Sequence, residues 1–249
     1  GLLERAERVV SELLMTDATN LSLLSRDATL LEQMGNFAGA FDRYAQAYGV
    51  LRGRLTALSD PGVEATMPAS TSTRRPSVAT NVDEITQFFD PTVDGLLTCA
   101  RTDALRTRLL DLLGAAAEED LAFTTQGPAA AVNKIARFPR LVRTASTYQR
   151  ACFSLHAPDR ADAFDRKLIE RFPEDTTLRT YLVRQRLTWG LPERAARLAD
   201  GAEGRAVEIR LMRVLSDAGA LDAYLAGALD PALDARLIER KLAQVEDVV

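Results

Sequence analysis

Between Leu21 and Leu51 the chain carries two apolar stripes of helical period, separated by Gly35-Asn36. Leu23, Leu24, Ala28, Leu31 and Met34 recur at mixed spacings of three and four, which places them on one helix face. Ser22, Ser25, Arg26, Thr29 and Gln33 fall largely on the others. Gly35 and Asn36 are the residue types that most easily leave helical geometry with positive φ. A second arm then carries Phe37, Ala40, Phe41, Tyr44, Ala47, Tyr48 and Leu51. Its alanines let two backbones approach while the aromatics fill the space around them. Two antiparallel helices of this length cannot bury their apolar faces alone, so they need neighbours stacked beside them.

Gly35, Ala40, Tyr44 and Ala47 stand at successive offsets of five, four and three. With Leu24, Ala28 and Leu31 before them as large, small and large residues, the hairpin resembles the tetratricopeptide repeat (TPR). Asp27 departs from that pattern, which usually has Leu there. Gly1, Ala6, Val10 and Leu13 keep the same offsets thirty-four residues earlier, and Asp17-Ala18-Thr19-Asn20 stands where such repeats turn between hairpins. The chain therefore reads as opening halfway through a repeat, as a fragment of a longer protein or with Gly1 as a cloning scar. A further relative covers Ala161–Ala202: Ala161, Phe164, Leu168, Phe172 and Pro173 end one arm, Leu178, Leu182, Val183 and Leu187 form the next, and Ala195, Ala199 and Ala202 follow Gly190. The resemblance implies an all-α, TPR-like α-solenoid of stacked antiparallel hairpins.

Composition agrees with helices. Ala, Leu and Arg are abundant, aromatic residues make up 6%, and no stretch alternates β-branched residues. The 47% apolar share and the mean hydropathy of −0.09 are those of an ordinary globular chain. A formal charge of −4 and a pI near 5.3 argue against nucleic acid as partner. No run of eighteen apolar residues is present, so no membrane insertion is expected, and a cytoplasmic location is. Lys occurs only at Lys134, Lys167 and Lys241; the remaining positive charge is Arg. Cys99 and Cys152, each beside an alanine, read as small core residues.

Residues 1–58 form the first predicted region, and the Pro-, Ser- and Thr-rich stretch 59–80 a linker or disordered loop that interrupts the stack. A helical-repeat region, 81–249, follows. Within it Asn81 with Glu84 suggests a helix start, Asp90-Pro91 a break, and Thr102-Asp103 a new helix through Leu105, Leu109, Leu112, Leu113, Ala116 and Leu121. Gly127-Pro128 should end it, Pro128 open a helix to about Phe138, and Pro139 end that one. Helices over 141–155 and from Ala161, a hairpin around Gly219 and a last helix from Ala232 complete the expectation.

Few side chains in the sequence are candidates for chemistry. His156 stands alone beside a predicted turn, without the paired ligands a metal needs. No phosphate loop, nucleophile elbow or dinucleotide fingerprint occurs. Glu118-Glu119-Asp120 reads as a solvated helix face rather than a catalytic carboxylate pair. No catalytic residue, metal or cofactor is expected, and the chain should not be an enzyme.

What remains is a concave groove lined by first arms. Ser25, Thr29 and Gln33 would line it on the first hairpin. Thr180, Arg184 and Thr188 would do so on the later one, with Arg179 and Arg186 at positions normally apolar, either on a rotated arm or facing that groove. The expected role is a non-catalytic protein-protein interaction scaffold for a peptide, a helix or a partner subunit. An acidic peptide suits the arginines, whose planar guanidinium pairs bidentately with carboxylates. The alternative is a regulatory or oligomerisation domain cut from a larger enzyme or transcriptional regulator. A helical enzyme without a recognisable motif ranks below both.

Overall fold

The computed structural model describes residues 1–59 and 78–189, together with Leu191, Arg194, Ala195 and Leu198. Most of the 59–80 linker and the expectations at Gly190, Ala199, Ala202, Gly219 and the last helix lie outside the described residues. Among the described residues every regular element is helical. The order is α1 (Leu2–Thr16), α2 (Leu21–Gln33), α3 (Phe37–Ser59), α4 (Val78–Cys99), α5 (Asp103–Phe123), two short 3₁₀ turns (Gly127–Ala131 and Ile135–Arg137), α6 (Pro139–Ser154), α7 (Pro158–Arg171) and α8 (Thr176–Thr188).

The chain divides into two compact units. One is Gly1–Asp120 with Arg140–His156, and the other Leu121–Pro139 with Ala157–Val249. Helices α3 and α4, on the two sides of the 59–80 stretch, pack on each other within the first unit.

In the first unit α2 lies against α1, α3 and α4. Its start is fixed by Asn20, whose Oδ1 accepts from the Leu23 amide at 3.1 Å and whose Nδ2 donates to Asp17 at 3.2 Å. The Gln46 side chain, from α3, donates to the Ala18 carbonyl at 3.0 Å and pins the same turn. At the other end the Asn36 amide donates to Leu31 O at 2.8 Å and the Gly35 amide to Glu32 O at 2.9 Å, with Gly35 at φ +78°. This pair of bonds is a Schellman motif, which needs a left-handed residue where a β-carbon is costly. Asn36 then caps α3 by accepting from the Gly39 amide at 3.0 Å.

Most of the predicted core of the hairpin is the core found, while Leu23, Met34 and Phe37 at its edges are only half-buried. Leu24 and Ala28 of α2 and Ala40, Phe41, Ala47, Tyr48 and Leu51 of α3 are all but inaccessible to solvent. Each large apolar side chain so buried stabilises the fold by about 1.5–3 kcal/mol. Gly95 of α4 meets the Tyr44 ring so closely that a β-carbon there would overlap it. Tyr48 and Phe89 pack as tilted rings with centroids 5.8 Å apart.

Four local expectations are corrected. Helix α4 begins at Val78, so Asn81 is not its cap, and it runs unbroken through Asp90-Pro91. Pro91 and Gln87 both face solvent, so the ring and the carbonyl that loses its hydrogen bond lie on the wet side of the helix. No α-helix spans Pro128–Phe138. The Arg171 guanidinium instead gathers the carbonyls of Thr124 at 2.7 Å, Ala129 at 3.0 Å and Val132 at 3.1 Å, holding them in a loop. Pro139 opens α6 rather than ending a helix, as a first-turn proline can. Val142 of α6 is exposed, while Thr144, Thr147 and Gln149 are buried.

Candidate functional site

The outer face of α2 carries Ser22, Arg26, Thr29 and Gln33, all exposed and spaced four, three and four residues apart. That spacing makes one stripe, with Ser25 half-buried at its edge. The Thr29 hydroxyl donates to Ser25 O at 2.9 Å and hydrogen-bonds the Tyr44 phenol, which burial pushes up against that bond's effect. Thr29 thus marks the boundary between stripe and core.

Helix α4, in contact with α2, exposes Gln87, Asp90, Asp94 and Thr98 at the same kind of spacing. The two helices meet where the Cys99 thiol donates to Glu32 Oε1 at 3.2 Å. Burial, reinforced by the Glu32 carboxylate, pushes that thiol up to about 12. Asp94 is paired with Arg150 at 2.9 Å. Hydroxyls, amides and scattered charges of both signs on two adjoining helices can hydrogen-bond a polypeptide backbone and side chains.

In the second unit, α8 exposes Thr180 and Arg184 and leaves Arg179 half-buried. The Thr188 side chain lies outside the described residues. Arg186 does not line an open groove: its side chain is 0% exposed. It donates to Asp162 of α7 at 3.1 Å, pairs with Asp165 of the same helix, and stands 5.5 Å from the Trp189 ring. Arg194 pairs with Asp159 at 2.9 Å and also with Asp162. The departure from the apolar pattern at this position is therefore an internal ion cluster between α7 and α8.

Other charges on core faces follow the same rule. Asp27, where the repeat pattern has Leu, is buried and accepts from Arg43 Nε at 2.6 Å. Burial raises its carboxyl above the usual range; the Arg43 hydrogen bond and charge oppose that shift, and the Glu7 charge adds to it. Asp120 is 2% exposed, which corrects its reading as part of a solvated face. It accepts from Arg52 of α3 at 3.0 Å and from Arg140 and Thr144 of α6 at 2.6 and 2.9 Å, tying three helices at one carboxylate. Glu119, its neighbour, is exposed as expected and takes the other arm of Arg52 at 3.1 Å. Asp175 caps α8 through the Leu178 amide at 3.0 Å and also holds the Ile135 amide at 2.9 Å.

A signal for these residues was present. Asp27 sits on the stripe of Leu24, Ala28 and Leu31, and Asp120 on that of Leu113, Ala116 and Ala117. An acid on the apolar stripe of an amphipathic helix requires a buried cation. Which arginine supplies it is not encoded locally.

His156 is exposed at the turn after α6, with φ 56°. Among the described residues no group of three or more His, Cys, Asp or Glu could hold a metal, and no helix is long and apolar enough to cross a membrane. Comparison with family models, with curated proteins and with solved structures gives no match in any of the three.

Proposed function

We propose that this chain is a protein-interaction scaffold of TPR-like hairpins, binding an extended peptide or a partner helix on the outward faces of α2 and α4, with no chemistry of its own. The observation that carries the reading is that two helices in contact each present a polar stripe to solvent. The helices adjoin, each has its apolar side buried, and each leaves a polar stripe of hydroxyl, amide and charged residues in solvent. A backbone ligand lying along such stripes gains hydrogen bonds from Thr29, Gln33 and Thr98, while Arg26 and Asp94 select its charges. Thr180 and Arg184 on α8 are the corresponding candidates in the second unit.

The test is peptide-display selection on the immobilised chain, followed by titration of the selected peptide against the chain and a triple variant, Arg26→Glu, Thr29→Lys and Gln33→Glu. All three positions are exposed, so folding should be retained, which circular dichroism checks. A loss of affinity of about a hundredfold is expected, about 1 kcal/mol for each of the three contacts removed. A selected peptide that binds the variant as well as the parent would refute the assignment to this surface.

A further inference from the structure

Helix α1 has two apolar faces, and only one is covered. Val10 and Leu14 are buried, as α1 lies against α2. Leu2, Ala6, Val9 and Leu13 form a second stripe at spacings of four, three and four, and it is open. Leu2 is 84%, Val9 56% and Leu13 47% exposed, so α1 concentrates exposed large apolar side chains that occur elsewhere only singly among the described residues. A run of this kind on a soluble surface marks an interaction site.

Two observations identify the occupant. The first concerns its shape. Ala6 and Leu13 stand thirty-four residues before Ala40 and Ala47, and in α3 those two alanines are sealed, at 0% and 1% exposure, in a helix that lies against α2. The middle and the C-terminal end of the open face of α1, at Ala6 and Leu13, thus correspond to positions that in α3 are closed by packing. A helix fits it.

The second concerns which helix. In an antiparallel pair the stripe of α1 matches its own reverse: Leu2 falls opposite the second copy's Leu13, and Ala6 opposite its Val9. Small meets branched at the centre, and leucine meets leucine at both ends. In heptad terms the stripe supplies the a and d positions. The solvent-side flanking positions are then Arg5 and Glu12, both exposed. Reversal brings Arg5 of each copy to Glu12 of the other, so the pairing contains two identical opposite-charge contacts. A face that is its own complement in apolar size and in charge is what an isologous two-fold interface requires.

We infer that α1 is a homodimerisation helix, joining two copies of this chain through an antiparallel Leu2–Ala6–Val9–Leu13 seam flanked by Arg5–Glu12 pairs. This does not rest on the proposed peptide-binding role of α2 and α4. The seam is about 16 Å long, and two helices of this size cover less than the roughly 1,200 Å² of a standard interface. Monomer and dimer should therefore exchange at micromolar concentrations.

Sedimentation equilibrium on the chain from about 1 to 500 μM tests this. The expected result is a concentration-dependent dimer that Leu13→Asp abolishes without loss of helicity. Arg5→Glu alone and Glu12→Arg alone each set like charges together twice, and each should weaken dimerisation by about tenfold. The double exchange, Arg5→Glu with Glu12→Arg, restores opposite pairs and should return affinity to near the parent's. A monomer at every concentration would overturn the inference and leave the face to a different helix, whether from another protein or another stretch of a longer chain. A dimer that survives Leu13→Asp would overturn it as well. A dimer lost with Leu13→Asp but indifferent to both charge reversals would overturn the antiparallel register.

Discussion

The α2–α3 and α7–α8 pairs close in different ways. In α2–α3 the interface is apolar, alternating Ala40 and Ala47 with Phe41, Tyr44 and Tyr48, and its one buried acid, Asp27, meets an arginine that remains 34% exposed. In α7–α8 a fully buried arginine, Arg186, lies among Asp162, Asp165 and Trp189. An interior filled by close-packed apolar side chains is stabilised by area and shape. An interior holding an ion pair depends on both partners being present, because either one alone is an unpaired charge out of water. The first arrangement tolerates the loss of its charge pair. The second should not.

Breaking the second pair should therefore have the largest effect. Arg186→Met is expected to cost about 3–5 kcal/mol in chemical denaturation, since it takes the guanidinium away from the buried Asp165 carboxylate. Adding Asp165→Leu, which removes the buried carboxylate as well, should recover most of that loss. A double variant as unstable as the single one would mean that the charge pairing is not what the α7–α8 contact depends on. The matching change in the other pair, Arg43→Met, should cost less, about 1–3 kcal/mol, because the site opens toward solvent and the Asp27 carboxyl can take up a proton. Equal losses at Arg43 and Arg186 would erase the distinction between the two.

The smallest effect concerns pH. Burial holds the folded Asp27 carboxyl above its ordinary value, so folding favours the protonated form. Its contribution to stability is fully present below the unfolded carboxylate value and is lost as pH rises through the raised folded one. The Asp27→Asn variant should lack this loss, so the stability difference between parent and variant should change between acid and neutral pH and be flat above. In Arg43→Met the two influences that lower the Asp27 value are gone, so its deficit should shrink as pH falls. An NMR titration placing the Asp27 midpoint below the usual carboxylate range would contradict both statements.

Much of the helical layout was legible because it rests on local chemistry. Asn20 and Asp175 cap helices through their own short side chains, Gly35 allows a turn that other residues resist, and Leu24, Ala28 and Leu31 announce a buried face by period alone. The misread segments share a cause. Asp90-Pro91 suggests a break because proline lacks the amide donor of a helix interior, yet α4 carries that defect on its wet face. Pro128 suggests the start of a helix to about Phe138, yet Arg171, far along the chain, holds carbonyls of this stretch in a loop. The acidic run Glu118-Glu119-Asp120 suggests a solvated face, yet Asp120's own place on the helix turns it inward.

The site divides in the same way. Thr29, Gln33, Thr180 and Arg184 are exposed where helical period puts them, while Arg186, at a position that period also marks as apolar, is interior. Period specifies which face of a helix a residue occupies, and the sequence by itself determined that much, together with the helical class, the turn at Gly35 and the apolar core of the first hairpin. Only the tertiary structure decided which buried acid meets which arginine. Such a pair joins residues sixteen to sixty-eight positions apart, and a guanidinium on its long side chain reaches whichever carboxylate the packing brings near.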